Sequence, residues 1–150
     1  MNLRDGSVSE PFEAPVRGEW DPLELRQLMI ASDRVIAHYP QRIVAYDASA
    51  GAIAGADVVS DDRDYRWLLP AQDQFVLISS RTLQSPIPDQ PGRRTQQWTY
   101  LIYVLSDNCK LLGEPAKLPT LNDRVQQAAV IDGWLLLSTQ SETLSIPMSK

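Results

Sequence analysis

The sequence predicts an all-β fold built from about three copies of one four-stranded antiparallel sheet. Three observations predict it: an internal repeat of apolar strands and polar turns, a proline load hostile to helices, and a length suited to one ordinary domain. The 150 residues can bury roughly two thirds of the unfolded surface without staples. Eleven prolines against seven glycines disfavour a helical bundle, because proline lacks the amide donor that a helix interior requires.

The repeat emerges when the chain is laid against itself. Residues 30–46, IASDRVIAHYPQRIVAY, align without a gap on residues 130–146, VIDGWLLLSTQSETLSI. Each copy has an apolar strand end, a polar turn (Ser32-Asp33-Arg34; Asp132-Gly133), a short apolar strand, a second polar turn and a third apolar strand. A middle copy begins at Trp67 with WLLPA, the turn Gln72-Asp73-Gln74 and the strand FVLISS over 75–80. A second landmark marks the passage from third to fourth strand: VAYDASAGAIAG over 44–55, VLSDNCKLLGEP over 104–115 and LRDGSVSEP over 3–11. Asp bonds its own downstream backbone and Gly accepts positive φ, so both suit such turns.

In chain order, a fourth-strand segment over Ser7–Pro15 comes first. The first unit follows with strands Arg26–Ala31, Val35–Tyr39, Ile43–Tyr46 and Ala52–Val59. The second has Arg66–Ala71, Phe75–Ser80, Trp98–Leu105 and Leu111–Pro119, and the third has Val125–Ile131, Trp134–Thr139 and Thr143–Pro147. The whole of 1–150 thus reads as a single repeat region with units over 7–46, 52–105 and 111–147. Aligning His38 with Ser79 and Ser138 gives periods of 41 and 59 residues. The excess in the second period falls in 81–97, RTLQSPIPDQPGRRTQQ, which has no apolar period and reads as an inserted loop. A helix remains an alternative over 22–37, where Asp21-Pro22-Leu23-Glu24 offers a cap and a first-turn proline, and Leu25, Leu28 and Met29 have helical spacing. The parallel with 122–131 favours a strand.

The stretch Ala45-Tyr46-Asp47-Ala48-Ser49-Ala50-Gly51-Ala52-Ile53-Ala54-Gly55 resembles the PQQ-like repeat of quinoprotein-dehydrogenase-like β-propellers, whose pattern is Ala-x-Asp-x-x-x-Gly followed four residues later by Trp. Ala45, Asp47 and Gly51 match, while Gly55 stands where the family's docking tryptophan would be. The other copies keep only Asp5 or Asp107. The resemblance implies a β-propeller-like array of about three four-stranded antiparallel blades, fewer than the four to eight that close a ring. The array is therefore expected to be incomplete or closed by oligomerisation. Met1-Asn2-Leu3 aligns with the end of a third strand, so the chain is expected to begin partway through a repeat. Residues 7–15 are expected to pair beside 143–147, within or between chains. A dehydrogenase of this family would imply a quinone, a calcium held by Glu, Asn and Asp, and a catalytic Asp, none of which maps onto residues here. The vicinal cysteine pair of some members is excluded by the single Cys109.

Charge and composition bound the function. A net charge of −5 repels nucleic acid and anionic lipid at long range. No apolar run approaches a membrane span, and the N-terminus lacks the apolar stretch of a signal peptide. The compartment stays open. One histidine, His38, forbids a multi-histidine metal site and reads as a polar strand-end residue. Asp61-Asp62-Arg63-Asp64 invites a calcium reading but lacks the glycine and distal Glu of a calcium loop, and reads as a solvated turn between units. Trp20, Trp67, Trp98 and Trp134 read as packing residues at strand starts. Two arginines, Arg93 and Arg94, with Trp98 near the far end of the long loop, suit the clamping of a carboxylate or phosphate on a partner surface. The expectation is a non-enzymatic propeller-type scaffold or protein-interaction module without catalytic, cofactor or metal residues. It would hold a protein partner rather than nucleic acid or membrane, with a second copy completing the ring. The rival reading is the C-terminal fragment of a quinoprotein-like dehydrogenase whose cofactor site is absent from this chain.

Overall fold

A computed structural model describes residues 25–31, 34–40, 42–47, 53–57 and 64–148. Among these residues the chain forms strands and no helix, in three antiparallel sheets whose strands follow one another in chain order. The first sheet holds β1 (Gln27–Ala31), β2 (Arg34–Tyr39), β3 (Arg42–Asp47) and β4 (Ile53–Asp57). The second holds β5 (Asp64–Ala71), β6 (Gln74–Pro86), β7 (Arg94–Ser106) and β8 (Ala116–Lys117). The third has three strands among the described residues, β9 (Gln127–Ile131), β10 (Trp134–Ser138) and β11 (Thr143–Pro147). The expected strand over 7–15, and with it the pairing beside 143–147, lies outside the described residues.

The helical alternative over 22–37 gives way to strand over 27–31 and 34–37. Leu28 and Met29 face Ala37 and Ile36 across a ladder, so their apolar side chains serve the two faces of a sheet rather than one helical stripe. Tertiary pairing here overrides a fair local helix signal.

In all three sheets the first two strands pair in a hairpin with two residues between the closing pair. Ala31 pairs with Arg34, Ala71 with Gln74, and Ile131 with Trp134. In the second and third sheets these turns use positive φ at Gln72, Asp132 and Gly133, the backbone that two-residue hairpins need to match strand twist. These closures make Arg34, Gln74 and Trp134 equivalent, with periods of forty and sixty residues. The alignment of His38 with Ser79 is thereby corrected by one residue: His38 corresponds to Ile78, and Ser138 keeps its place.

A one-residue slip exchanges the two faces of a strand, so this register decides how the sheets stack. Ile36, Ile43 and Ala45 of the first sheet pack against Leu68, Phe75, Leu77, Tyr103 and Leu105 of the second. The opposite face of the second sheet, with Val76, Ile78, Tyr100 and Ile102, packs against Leu135 and Leu137 of the third. The middle sheet is thus buried on both sides, which is why FVLI over 75–78 is continuously apolar rather than alternating. Val76 stands where Ile36 does, and Leu77 where Ala37 and Leu137 do, so both junctions use the same pair of faces in the same order.

The fourth strand of the middle sheet is shorter than Leu111–Pro119. It pairs continuously only at Ala116–Lys117, with single bridges from Leu111 to Leu105 and from Leu121 to Trp98. Pro115 and Pro119 offer no amide, and Gly113 has φ +80, so the segment meets β7 in three touches rather than one ladder.

The stretch 81–97 is not a loop. Arg81–Pro86 and Arg94–Thr99 continue β6 and β7 in register, from Arg81 opposite Thr99 to Pro86 opposite Arg94. The connection shrinks to 87–93, where the Gln90 amide donates to the Ile87 carbonyl (3.3 Å) and the Arg93 amide to the Gln90 carbonyl (3.1 Å). Each of these turns has proline second and a positive-φ residue third: Pro88-Asp89 (φ 62) and Pro91-Gly92 (φ 83). That is the chemistry of two successive type II turns.

Candidate functional site

The paired extension of β6 and β7 is the most distinctive feature of the surface. Residues 81–86 and 94–96 are exposed on both faces, and five rungs beyond Arg81 carry the ribbon roughly 15–20 Å outward. β5 stops pairing at Ser80, and Trp98 is the last residue of β7 bridged from its other side. Both edges of the outer ribbon therefore lack a neighbouring strand among the described residues, leaving backbone donors and acceptors open to a partner.

Two kinds of contact stiffen this ribbon. Along its length Arg94 donates from Nη1 to Gln84 Oε1 (3.3 Å), and Thr95 Oγ1 donates to the Ser85 carbonyl (3.4 Å). At its root Gln97 Nε2 donates to Asn122 Oδ1 (3.0 Å), and the Trp98 amide and carbonyl both bond Leu121 at 2.9 Å. The prolines of the tip preset φ, so the two turns cost less entropy to hold.

Of the three residues singled out from the sequence, the structure brings two together. Arg93 and Arg94 are exposed at the tip, where Arg93 Nη1 donates to Gln90 Oε1 (3.3 Å). Trp98 is at the root, half-buried against the apolar cluster between the second and third sheets. It anchors the ribbon rather than sharing a surface with the arginine pair. Arg81, Arg93 and Arg94 against Asp89 leave the ribbon with a positive balance on a chain whose net charge is −5. Its chemistry fits carboxylates, which arginine binds through paired N–H donors.

Other candidates resolve into structural roles. Asp64 meets Arg26 Nη1 at 2.8 Å and Arg66 Nη2 at 3.0 Å, so its carboxylate is engaged by two guanidinium groups rather than presented to a cation. Arg66 reaches it because β5 shifts register between Tyr65 and Trp67, a bulge that re-aims the extra side chain. Arg66 Nε also donates to Ser80 Oγ (3.1 Å). A second ion pair, Arg34 Nη1 to Asp107 Oδ2 at 3.1 Å, crosses the same junction. Asp61–Arg63 fall outside the described residues. His38 is 1% exposed, on the β2 face that meets the second sheet. Cys109 is buried in a turn at φ 59, its amide donating to the Ser106 carbonyl (2.9 Å). Among the described residues no group of three or more His, Cys, Asp or Glu is placed to hold a metal. No helix there is long and apolar enough to cross a membrane.

Sequence reasoning missed a shallow cleft of about 460 Å³ along the third sheet, bounded by Trp67, Gln127, Ala129, Leu136 and Ser138. The signal that finds it is the hairpin register, which places Gln127, Ala129, Leu136 and Ser138 on the face turned away from the second sheet. Trp134 lies on that face and is 47% exposed, unlike Trp67 and Trp98, which pack as expected; Trp20 is outside the described residues.

Comparison with known proteins returns no matching family model, no matching curated protein and no matching solved structure.

Proposed function

We propose that the chain is a non-enzymatic interaction module of β-propeller type, in which the sheets act as successive blades and the β6–β7 ribbon holds a carboxylate-bearing protein partner. The ribbon carries the reading: a two-sided exposed hairpin whose edges are unpaired among the described residues, with an arginine pair at its tip. Burial does not require such an element, since residues 81–86 are all exposed, and long polar hairpins serve contacts outside the domain. Backbone edges supply affinity by strand addition and arginines select acidic side chains.

Two observations support the propeller part. The sheets are meanders stacked through the same two faces at both junctions, as blades are. The PQQ-like match Ala45-Tyr46-Asp47 closes β3 just before the passage to β4, with Gly55 paired opposite Ala45, in line with the strand-to-turn place of that motif in the family.

The test is a titration of the isotope-labelled full chain with a ten-residue Glu-rich peptide, followed by NMR. Shifts concentrated on residues 82–97 and the Arg93 and Arg94 side chains are expected. They should vanish in Arg93→Glu/Arg94→Glu and weaken as salt rises. Shifts elsewhere, or shifts indifferent to the double substitution, refute the assignment.

A further inference from the structure

We infer that the cleft between β5 and β9 is a binding site for a neutral carbohydrate, a run of sugar units from a polysaccharide. The site is separate from the arginine ribbon and does not depend on it.

The hairpin register builds the site. β9, β10 and β11 lie side by side, so Gln127, Ser138 and Thr143 form one row across the outer face of the third sheet, and Ala129, Leu136 and Ser145 form the next. Neighbours within a row stand about 5 Å apart. β9 is the edge strand of that sheet, and β5 runs beside it, which lets Trp67 form the far wall of the cleft. The half-buried indole packs on one side into the apolar cluster between the second and third sheets. Packing holds that wall in place. The cleft of about 460 Å³ falls inside the range of roughly 300–1,000 Å³ that small-ligand sites occupy.

The lining selects the ligand. It consists of the indole, the amides of Gln126 and Gln127, the hydroxyls of Ser138 and Thr143, and aliphatic carbon between them, with no charged side chain. The Trp67 indole N–H, both Gln amides and the Thr143 hydroxyl have no hydrogen-bond partner among the described residues. Ser138 Oγ donates only a long bond, 3.4 Å, to the Thr139 carbonyl. An ionic ligand would find no counter-charge in this lining. A hydrocarbon would cover the same donors and acceptors without replacing their water. A pyranose meets both conditions: its rim hydroxyls exchange hydrogen bonds with amide and hydroxyl groups, and its C–H face lies against the indole and Leu136.

Size separates a sugar from a protein partner. Three strands about 4.8 Å apart and five residues of about 3.4 Å each bound a face of roughly 250 Å², far below the roughly 800 Å² that each side of a stable protein interface buries. A few sugar units match that face.

The experiment is an NMR titration of the isotope-labelled full chain with three neutral oligosaccharides: cellohexaose, maltohexaose and mannohexaose. At least one should shift the amides of 126–129, 136–138 and 143 and the Trp67 indole N–H, with a dissociation constant of about 1 mM or tighter and no dependence on salt. Gln127→Ala and Thr143→Val alter exposed side chains and should each weaken binding about fivefold, the loss of one hydrogen bond, with far-UV circular dichroism unchanged. Trp67→Phe keeps an aromatic ring in the wall but removes its donor, and should weaken binding similarly; should it unfold, the two exposed variants carry the test. The Arg93→Glu/Arg94→Glu chain should bind the sugar as the wild type does, so this site and the ribbon fail or stand separately. No shift with any of the three sugars overturns the inference, as do shifts on other residues or shifts indifferent to Gln127→Ala and Thr143→Val. A proline-rich decapeptide that shifts these residues where the sugars do not also overturns it, and makes the cleft a peptide groove.

Discussion

Removing one oxygen from the core tests how the third sheet is tied to the second. Tyr100 is fully buried on β7, on the face toward the third sheet. Its hydroxyl accepts the Val125 amide at 2.8 Å, and Val125 is itself 1% exposed. Tyr100→Phe preserves the ring and strands that amide without an acceptor, which costs roughly 1–3 kcal/mol. With a urea m-value of about 2 kcal/mol/M, the midpoint should fall by about 0.5–1.5 M at unchanged m. Burial also pushes the Tyr100 hydroxyl above its ordinary value of 10.0, the Val125 amide and the charges of Arg124 and Arg66 opposing it. The folded state therefore keeps its proton in a range where the unfolded chain has lost it. Stability is full below pH 10 and declines as pH rises toward the folded-state value, at up to about 1.4 kcal/mol per pH unit for this one proton. Tyr100→Phe should remove that part of the alkaline decline. A midpoint shift below about 0.2 M, or the same alkaline slope in both proteins, refutes the reasoning.

Four further outcomes follow from the same geometry. Leu77→Ala, at the centre of the first junction and fully buried, should cost about 2–5 kcal/mol in urea unfolding, since neighbours on two sheets cannot all collapse onto the void. Asp64→Ala releases Arg26 and Arg66 at a partly exposed site and should cost no more than about 1 kcal/mol, a difference that shrinks in high salt. Gly92→Val forces a β-branched residue into φ +83 and should speed amide exchange across 84–96 while leaving the global unfolding midpoint unchanged. Cys109, buried among the apolar residues of the first junction, should resist a thiol reagent in the native state and react fully in denaturant.

What the sequence made legible was whatever burial imposes on strands. WLLPA, FVLISS and WLLLS read as strands because apolar residues there fill the two junctions, and the turns between them announced themselves through Asp, Gly and their neighbours. The ribbon was not legible as strand for the converse reason. Residues 81–86 and 94–96 face solvent on both sides, so no alternation survives, and only pairing marks them as β. Its tip did carry a readable signal, since Pro88-Asp89 and Pro91-Gly92 spell two turns seven residues wide in all, too compact for the whole of 81–97 to be loop. Proximity in sequence groups Trp98 with the arginines, but proximity in space does not follow from it. Along a strand four residues span roughly 13 Å, enough to put one end at the tip and the other in the core.

The one-residue correction of the repeat matters more than its size suggests. With His38 set against Ser79, Ile36 would match Leu77, and the first junction would join two like faces, as would the second. Such a stack alternates and exposes no complementary pair at its ends. The observed hairpin closures instead match Ile36 with Val76 and Leu136, so every sheet turns the same face forward. Aligned apolar strands cannot tell the two registers apart when both faces of the middle sheet are buried, because Val76 and Leu77 are equally acceptable partners for Ile36. The turn decides: two residues between Ala31 and Arg34, between Ala71 and Gln74, and between Ile131 and Trp134. Which faces the sheets join is thus set by hairpin length rather than by the hydrophobic pattern.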